Sequence, residues 1–264
     1  MIRKDPIGPE YYNPLRNAEN LSDAMFYLAA ALSVAVLQID KVVSPKIYQA
    51  AQATFALLVV GFFLSGITVR TYFAARAHAM RVADFMSNAF SVPLVPSPSK
   101  GYYNTPVGDP FLRIGASVLE NTLFTKAIVS RMLYFERSRI VLYLSIWLWA
   151  VLYRATDLDL MAIAAQVLFS EQLVSRWVRM EWLRSTVERL HIELYSLIQV
   201  TQDAASPTFQ ARVVAALVSY EMSKAQAGLS LSTRMFKRMN PDLSLEWQSM
   251  ASQLGLVRPS GPSS

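Results

Sequence analysis

The chain has 264 residues, of which 53% are hydrophobic and only 17% charged, and its mean hydropathy is +0.27. That is more apolar than a soluble domain needs, so the chain reads as a membrane protein. Cysteine is absent, which excludes disulfides, thiol catalysis and cysteine metal sites, and the two histidines, His78 and His191, lie too far apart in sequence to suggest a metal cluster, so neither metal nor cofactor is expected. The net charge of +6 fits Lys and Arg that hold loops on the cytoplasmic side of a bilayer, and direct DNA binding is not expected.

Residues 1–22 carry mixed charge and several prolines without an apolar core and cleavage site, and read as a cytoplasmic N-terminal segment rather than a signal peptide. Charge-free runs then predict four membrane spans: Ala24 to Ile39, Ile47 to Val69, Ile140 to Tyr153 and Leu160 to Ser170. The first two form a hairpin over residues 23–69, turned by "SPK" at Ser44 to Lys46, and only the second run approaches the roughly 20 apolar residues that a crossing helix needs. The other two form a second hairpin over residues 140–173 around the turn "RATDLDL", with Arg139, Glu171 and Arg176 snorkelling to complete the crossings. Of the 25 Lys and Arg residues, 3 precede the first span, 9 lie from Arg70 to Arg139 and 10 follow the fourth span. The positive-inside rule therefore places both termini and the central segment in the cytoplasm of a multi-pass protein. The expected fold is an all-α membrane protein with four transmembrane helices in two hairpins and a cytoplasmic helical domain.

Residues 70–139 form the cytoplasmic insert. The second span runs on past Arg70 without a breaker until Pro93, as a stalk, and a new helix is predicted from Phe111 to Arg137, with Phe124, Ile128, Met132 and Phe135 at helical spacing. Between them "SKGYYNTPVGDP" cannot be a regular element. Tyr102 and Tyr103 offer faces for stacking a base, Gly101 permits close backbone approach and Asn104 can read polar edges, while Lys100, Arg113 and Lys126 are placed to neutralise phosphates. The rival reading is that the tyrosines only anchor a long connection and that Asn104 makes an Asx turn. Residues 174–256 read as cytoplasmic helices and 257–264 as a tail. Met180, Leu183, Val187, Leu190, Leu194 and Leu197 step by three and four as an a/d seam, which either packs within one subunit or holds a homo-oligomer together. Further helices are expected from Phe209 to Lys224 and, with Asn240 as cap and Pro241 in the first turn, from there to Leu254.

The sequence carries no phosphate-binding loop, dinucleotide glycine pattern, nucleophile elbow or zincin pair. Asp84, Glu120, Glu136, Glu171, Glu181 and Glu193 have no recognisable catalytic partner and read as solvated or ion-paired, so the chain is not expected to be an enzyme. The polar span residues Gln38, Gln49, Gln52, Thr54 and Gln166 read as glue between helices before they read as a pore lining.

Two membrane hairpins separated by a cytoplasmic helical insert, together with "VADFMSNAFSVPL", "GYYNTP" and "ENTLFTKAI", resemble the SMODS-associated four-transmembrane effectors of bacterial anti-phage systems. The resemblance implies an inner-membrane effector that oligomerises and compromises the bilayer when a cytosolic signal, either a nucleotide second messenger or a partner protein, acts on its cytoplasmic domain. A small transporter or channel subunit and a membrane-anchored scaffold are the alternatives that the same architecture fits.

Overall fold

The computed structural model describes residues 5–37, 39–99, 107–152, 171–200 and 203–256. Every regular element among them is helical. In chain order these are α1 (Asn13–Leu37), α2 (Pro45–Thr68), α3 (Ala75–Phe90), α4 (Pro110–Leu152), α5 (Arg176–Val200), α6 (Pro207–Ala227) and α7 (Thr233–Gln253), with wider π-helical turns at Gly8–Tyr12, Val69–Ala74 and Glu171–Ser175. Contacts divide the chain into two units. One holds Met1–Tyr11, Arg76–Met132 and Met180–Ser264, and the other Tyr12–Ala75 and Leu133–Arg179.

In the second unit, α1 begins at Asn13, well before the predicted start of the first span at Ala24. Pro14 is tolerated because it sits in the first helical turn, where its missing N–H has no partner to lose. The turn to α2 is not made by Pro45, which opens α2, but by Asp40, whose carboxylate accepts the N–H groups of Val42 (2.7 Å) and Val43 (3.2 Å). Helices α1 and α2 then pack antiparallel. The Ser65 hydroxyl meets that of Ser22 at 3.1 Å, Phe62 lies 5.7 Å from Phe26 ring to ring, and Gly61 lets the Met25 sulfur approach its backbone so closely that a Cβ there would stand 3.4 Å from it. The inter-helix polar contact is thus a serine pair, whereas Gln52 bonds Tyr48 one turn back in its own helix.

No side chain of α2 is buried, and its apolar residues stand open, Leu57 at 73% and Phe63 at 64% exposure. Exposed Leu, Val and Phe along the face of α2 turned away from α1 are unfavourable in water, because each would gain roughly 1.5–3 kcal/mol by leaving it. Helix Pro45–Phe90, which continues α2 without a break through Val69–Ala74 into α3, is long and apolar enough to cross a membrane, the one such helix among the described residues. Helix α1 contains Arg16, Glu19 and Asp23 and does not meet that measure. The later part of α4 exposes Val141, Leu142, Leu148, Trp149 and Leu152 in the same manner. The predicted fourth span, Leu160 to Ser170, lies outside the described residues.

The first unit has an ordinary core. Ile114, Leu119, Leu123, Ile128 and Val129 of α4 are buried together with Met180, Leu183, Val187, Leu190 and Leu194 of α5 and Phe209, Val213 and Tyr220 of α6. Gly115 makes room for α5 and α6: a Cβ there would meet Val213 Cγ2 at 3.3 Å and Ile198 Cδ1 at 3.7 Å. Two buried polar pairs fix the register. Thr125 Oγ1 and the Tyr220 hydroxyl are 2.8 Å apart, and Thr122 Oγ1 and His191 Nδ1 are 3.0 Å apart. Helix α6 starts with Pro207 behind Ser206 and ends at Gly228, whose φ of 56° is the left-handed cap position that glycine fills without a Cβ clash.

Three expectations are corrected here. The last helix starts not at Asn240 and Pro241 but at Ser232, whose hydroxyl accepts from the Met235 N–H, and it runs through Pro241. Pro241 is exposed, so water can reach the carbonyl its ring leaves without a donor, while the buried Leu243, Trp247 and Ala251 hold the helix in place. Phe135 is 51% exposed, although Ile128 and Met132 of the same predicted stripe are buried. The seam of α5 is closed by buried Ile198 and not by Leu197.

Candidate functional site

The tyrosine loop is defined by what holds its two ends. Lys100, Tyr102, Tyr103 and Asn104 lie outside the described residues, but Ser99 and Val107 on either side do not. Ser99 is clamped by Asp84 of α3, whose Oδ1 accepts the Ser99 N–H at 2.8 Å and whose Oδ2 accepts the Ser99 hydroxyl at 2.7 Å. Asp84 is 1% exposed, so these two bonds replace water on a carboxylate that could not otherwise be buried. Its negative charge is balanced by Arg81 at 3.8 Å, which also forms a two-pronged pair with Asp5 at 3.1–3.2 Å, and Asp5 in turn accepts the Gly8 N–H. A single acid-arginine-acid chain thus ties the N-terminal residues, α3 and the start of the loop together.

The far end is held by Arg113. Its Nε donates to the Val107 carbonyl at 2.8 Å and its Nη1 to the Asn88 carbonyl at 2.9 Å, with Ala89 O and Ser91 Oγ each 3.3 Å from Nη1 and Gly108 O 3.4 Å from Nη2. The carbonyls of Asn88 and Ala89 belong to the last turn of α3, where no later N–H completes the helical ladder and the dipole is negative, so a guanidinium is the natural cap. Ser91 follows in a left-handed conformation (φ 56°), and the Val92 N–H returns to the Ser87 carbonyl at 3.2 Å. Next to this, Asp109 accepts the Leu112 N–H at 2.7 Å and starts α4. Of the residues expected to neutralise a phosphate, Arg113 is found with its donors on backbone carbonyls, where it clamps the end of the loop.

Lys126 stands apart from this clamp. Its positive charge acts on His191, whose pKa is pushed below the ordinary histidine value by burial first and by Lys126 second. The seam residues Met180, Leu183, Val187, Leu190 and Leu194 are no more than 4% exposed within the single chain. In the single chain they pack against the other helices of the first unit, which fits the intrachain reading of the stripe.

The second unit has its own charge cluster. Glu136, only 7% exposed, is chelated by Arg139 at 3.1–3.2 Å and lies 3.6 Å from Arg176, which pairs with Asp23 of α1 at 3.3 Å; Arg139 also donates to the Tyr27 hydroxyl. Arg139 and Arg176 are thus engaged by protein partners in this structure. The two anchors of the loop were missed because their signals are faint. Asp84 falls seven residues after buried Ala77 on one helix face, where a lone acid asks for a partner, and Arg113 lies one turn into a helix that follows a loop. Among the described residues no group of three His, Asp or Glu side chains is arranged to hold a metal ion. Comparison with protein-family models, curated proteins and solved structures yields no match for this chain.

Proposed function

We propose that the protein is a multi-pass bacterial inner-membrane effector of anti-phage defence, with both termini cytoplasmic, that self-associates in the bilayer and perturbs or permeabilises it when a cytosolic signal acts on its cytoplasmic helices. The observation that carries the membrane part of this reading is α2, an apolar helix without a single buried side chain that continues unbroken into α3. The exposed apolar residues of α4 from Val141 to Leu152 support a second hairpin completed by residues 153–170.

The signalling part rests on how the chain is strung. It passes between the two units at residues 11/12, 75/76, 132/133 and 179/180, and three of these passages lie in or within a few residues of a π-helical turn. Such turns are widened registers that recur at functional sites and can relax without breaking a helix. A nucleotide messenger or partner protein held at the clamped tyrosine loop would act on α3 through Asp84 and Arg113. Differential affinity for two arrangements of α3 is all that switching requires. Self-association is assigned to lipid-exposed helix faces, since the α5 seam is occupied.

The test has two arms. Reporter tags at residue 100 and at both termini should score as cytoplasmic, and induced expression in a bacterial culture should collapse membrane potential on phage challenge. Replacing Tyr102 and Tyr103 with alanine should abolish that response while insertion and detergent-extracted mass stay unchanged. Periplasmic scores would overturn the topology, and an unaltered potential during infection would favour the scaffold.

A further inference from the structure

Within the first unit, helices α5 and α7 leave a groove of about 530 Å³ lined by His191, Ile192, Tyr195, Glu246, Ser249, Met250 and Gln253. That volume suits a small organic molecule. Tyr195, Glu246, Ser249 and Gln253 have no side-chain hydrogen bond or ion pair among the described residues, although other acids of α5 and α6 do, Glu188 with Arg184 and Glu221 with Lys224.

The hydrogen-bonding state of the groove's buried histidine follows from its neighbour. Thr122 has one hydroxyl proton, and it is donated to the Leu119 carbonyl at 2.7 Å. With that proton on Leu119, the 3.0 Å contact with His191 suits the tautomer that carries its proton on Nδ1, from which the Thr122 oxygen accepts. Burial disfavours the charged ring, and in that tautomer Nε2 is an acceptor. The groove lining thus combines the imidazole of His191, the carboxylate of Glu246 and the ring of Tyr195 with the apolar Ile192 and Met250, and none of its lining residues is Lys or Arg.

We infer that this groove binds a small organic ammonium ligand, its N–H donors directed to Glu246 and His191 Nε2 and its apolar body laid against Tyr195, Ile192 and Met250. A carboxylate and an aromatic face both favour a cation, and Glu246 would repel a phosphate or carboxylate ligand. The site is separate from the tyrosine loop and does not depend on the effector reading.

Titration calorimetry on the full chain in nanodiscs, with empty nanodiscs subtracted, would compare 2-phenylethylamine with its neutral isostere 2-phenylethanol and its anionic counterpart phenylacetate. Saturable binding of the amine, at least tenfold tighter than the alcohol and with no heat from phenylacetate, is expected. Glu246→Gln and Tyr195→Leu, both on the open side of the groove, should each weaken the amine about tenfold while leaving the melting curve unchanged. Equal binding of amine and alcohol, undiminished amine binding by Glu246→Gln, or no binding of any of the three would overturn the assignment.

Discussion

Truncating Leu183 to alanine separates the two uses to which the α5 stripe can be put. Leu183 is 1% exposed and is flanked along the stripe by Met180 at 0% and Val187 at 0%, so the space left by its isobutyl group has close-packed walls that cannot readily collapse. Leu→Ala at such sites costs about 3 kcal/mol, a change of about 100-fold in the ratio of folded to unfolded molecules. For a chain of this size that is a fall in melting temperature of about 6–12 °C. The measurement is thermal unfolding by far-ultraviolet circular dichroism in mild detergent, with mass determined by light scattering on the same sample. If the stripe is internal, the melting temperature falls by that amount and the mass is unchanged below the transition. A mass that drops while the melting temperature moves by less than about 2 °C would refute the reasoning and return the stripe to an intermolecular role.

Arg113→Ala should lower stability by about 2 kcal/mol, because it removes charge-assisted bonds to the end of α3 and to Val107, and should open residues 91–109 to limited proteolysis; Arg113→Lys should not rescue it, since one ammonium cannot serve the α3 carbonyls and the loop together. Gly115→Ala should be close to neutral in thermal melts, as better helix propensity offsets a 3.3 Å contact with Val213, whereas Gly115→Leu should destabilise by about 1–3 kcal/mol by forcing α4 from α6. Stability should also fall as pH falls below about 6.5, because the unfolded chain then takes up a proton that the buried His191 ring, near Thr122, Lys126 and Glu188, with Tyr195 one turn on in α5 and Glu246 on α7 lining the same groove, refuses until lower pH. Since the folded pKa is depressed, this contribution is fully present above the ordinary value and is lost on acidification; melting temperature against pH for wild type and His191→Gln should give a shallower slope in the variant, and identical slopes would contradict it.

Helical class, the unbroken run from α2 into α3 and the α5 stripe were legible in the sequence because each depends on local periodicity or on apolar length, which a few consecutive residues specify. The stripe itself did not say what it faces: a 3-4 spacing describes one surface of a helix, and only the packing of α4, α5 and α6 decides that the partner is the same chain. The start of the last helix was misplaced for the same kind of reason, since Pro241 is a local stop signal and the burial of Leu243 and Trp247 that overrides it is not local. Asp84 read only as a solvated or ion-paired acid and Arg113 as a phosphate ligand until the fold brought Ser99, Asn88 and Ala89 to them across 15 to 25 residues of chain. The groove beneath His191 is the extreme case. Residues 191–195 and 246–253 have no relation in sequence, and the ring's buried hydrogen-bond partner, Thr122, is 69 residues away, because a hydrogen bond depends on where atoms meet in space and not on their order along the chain.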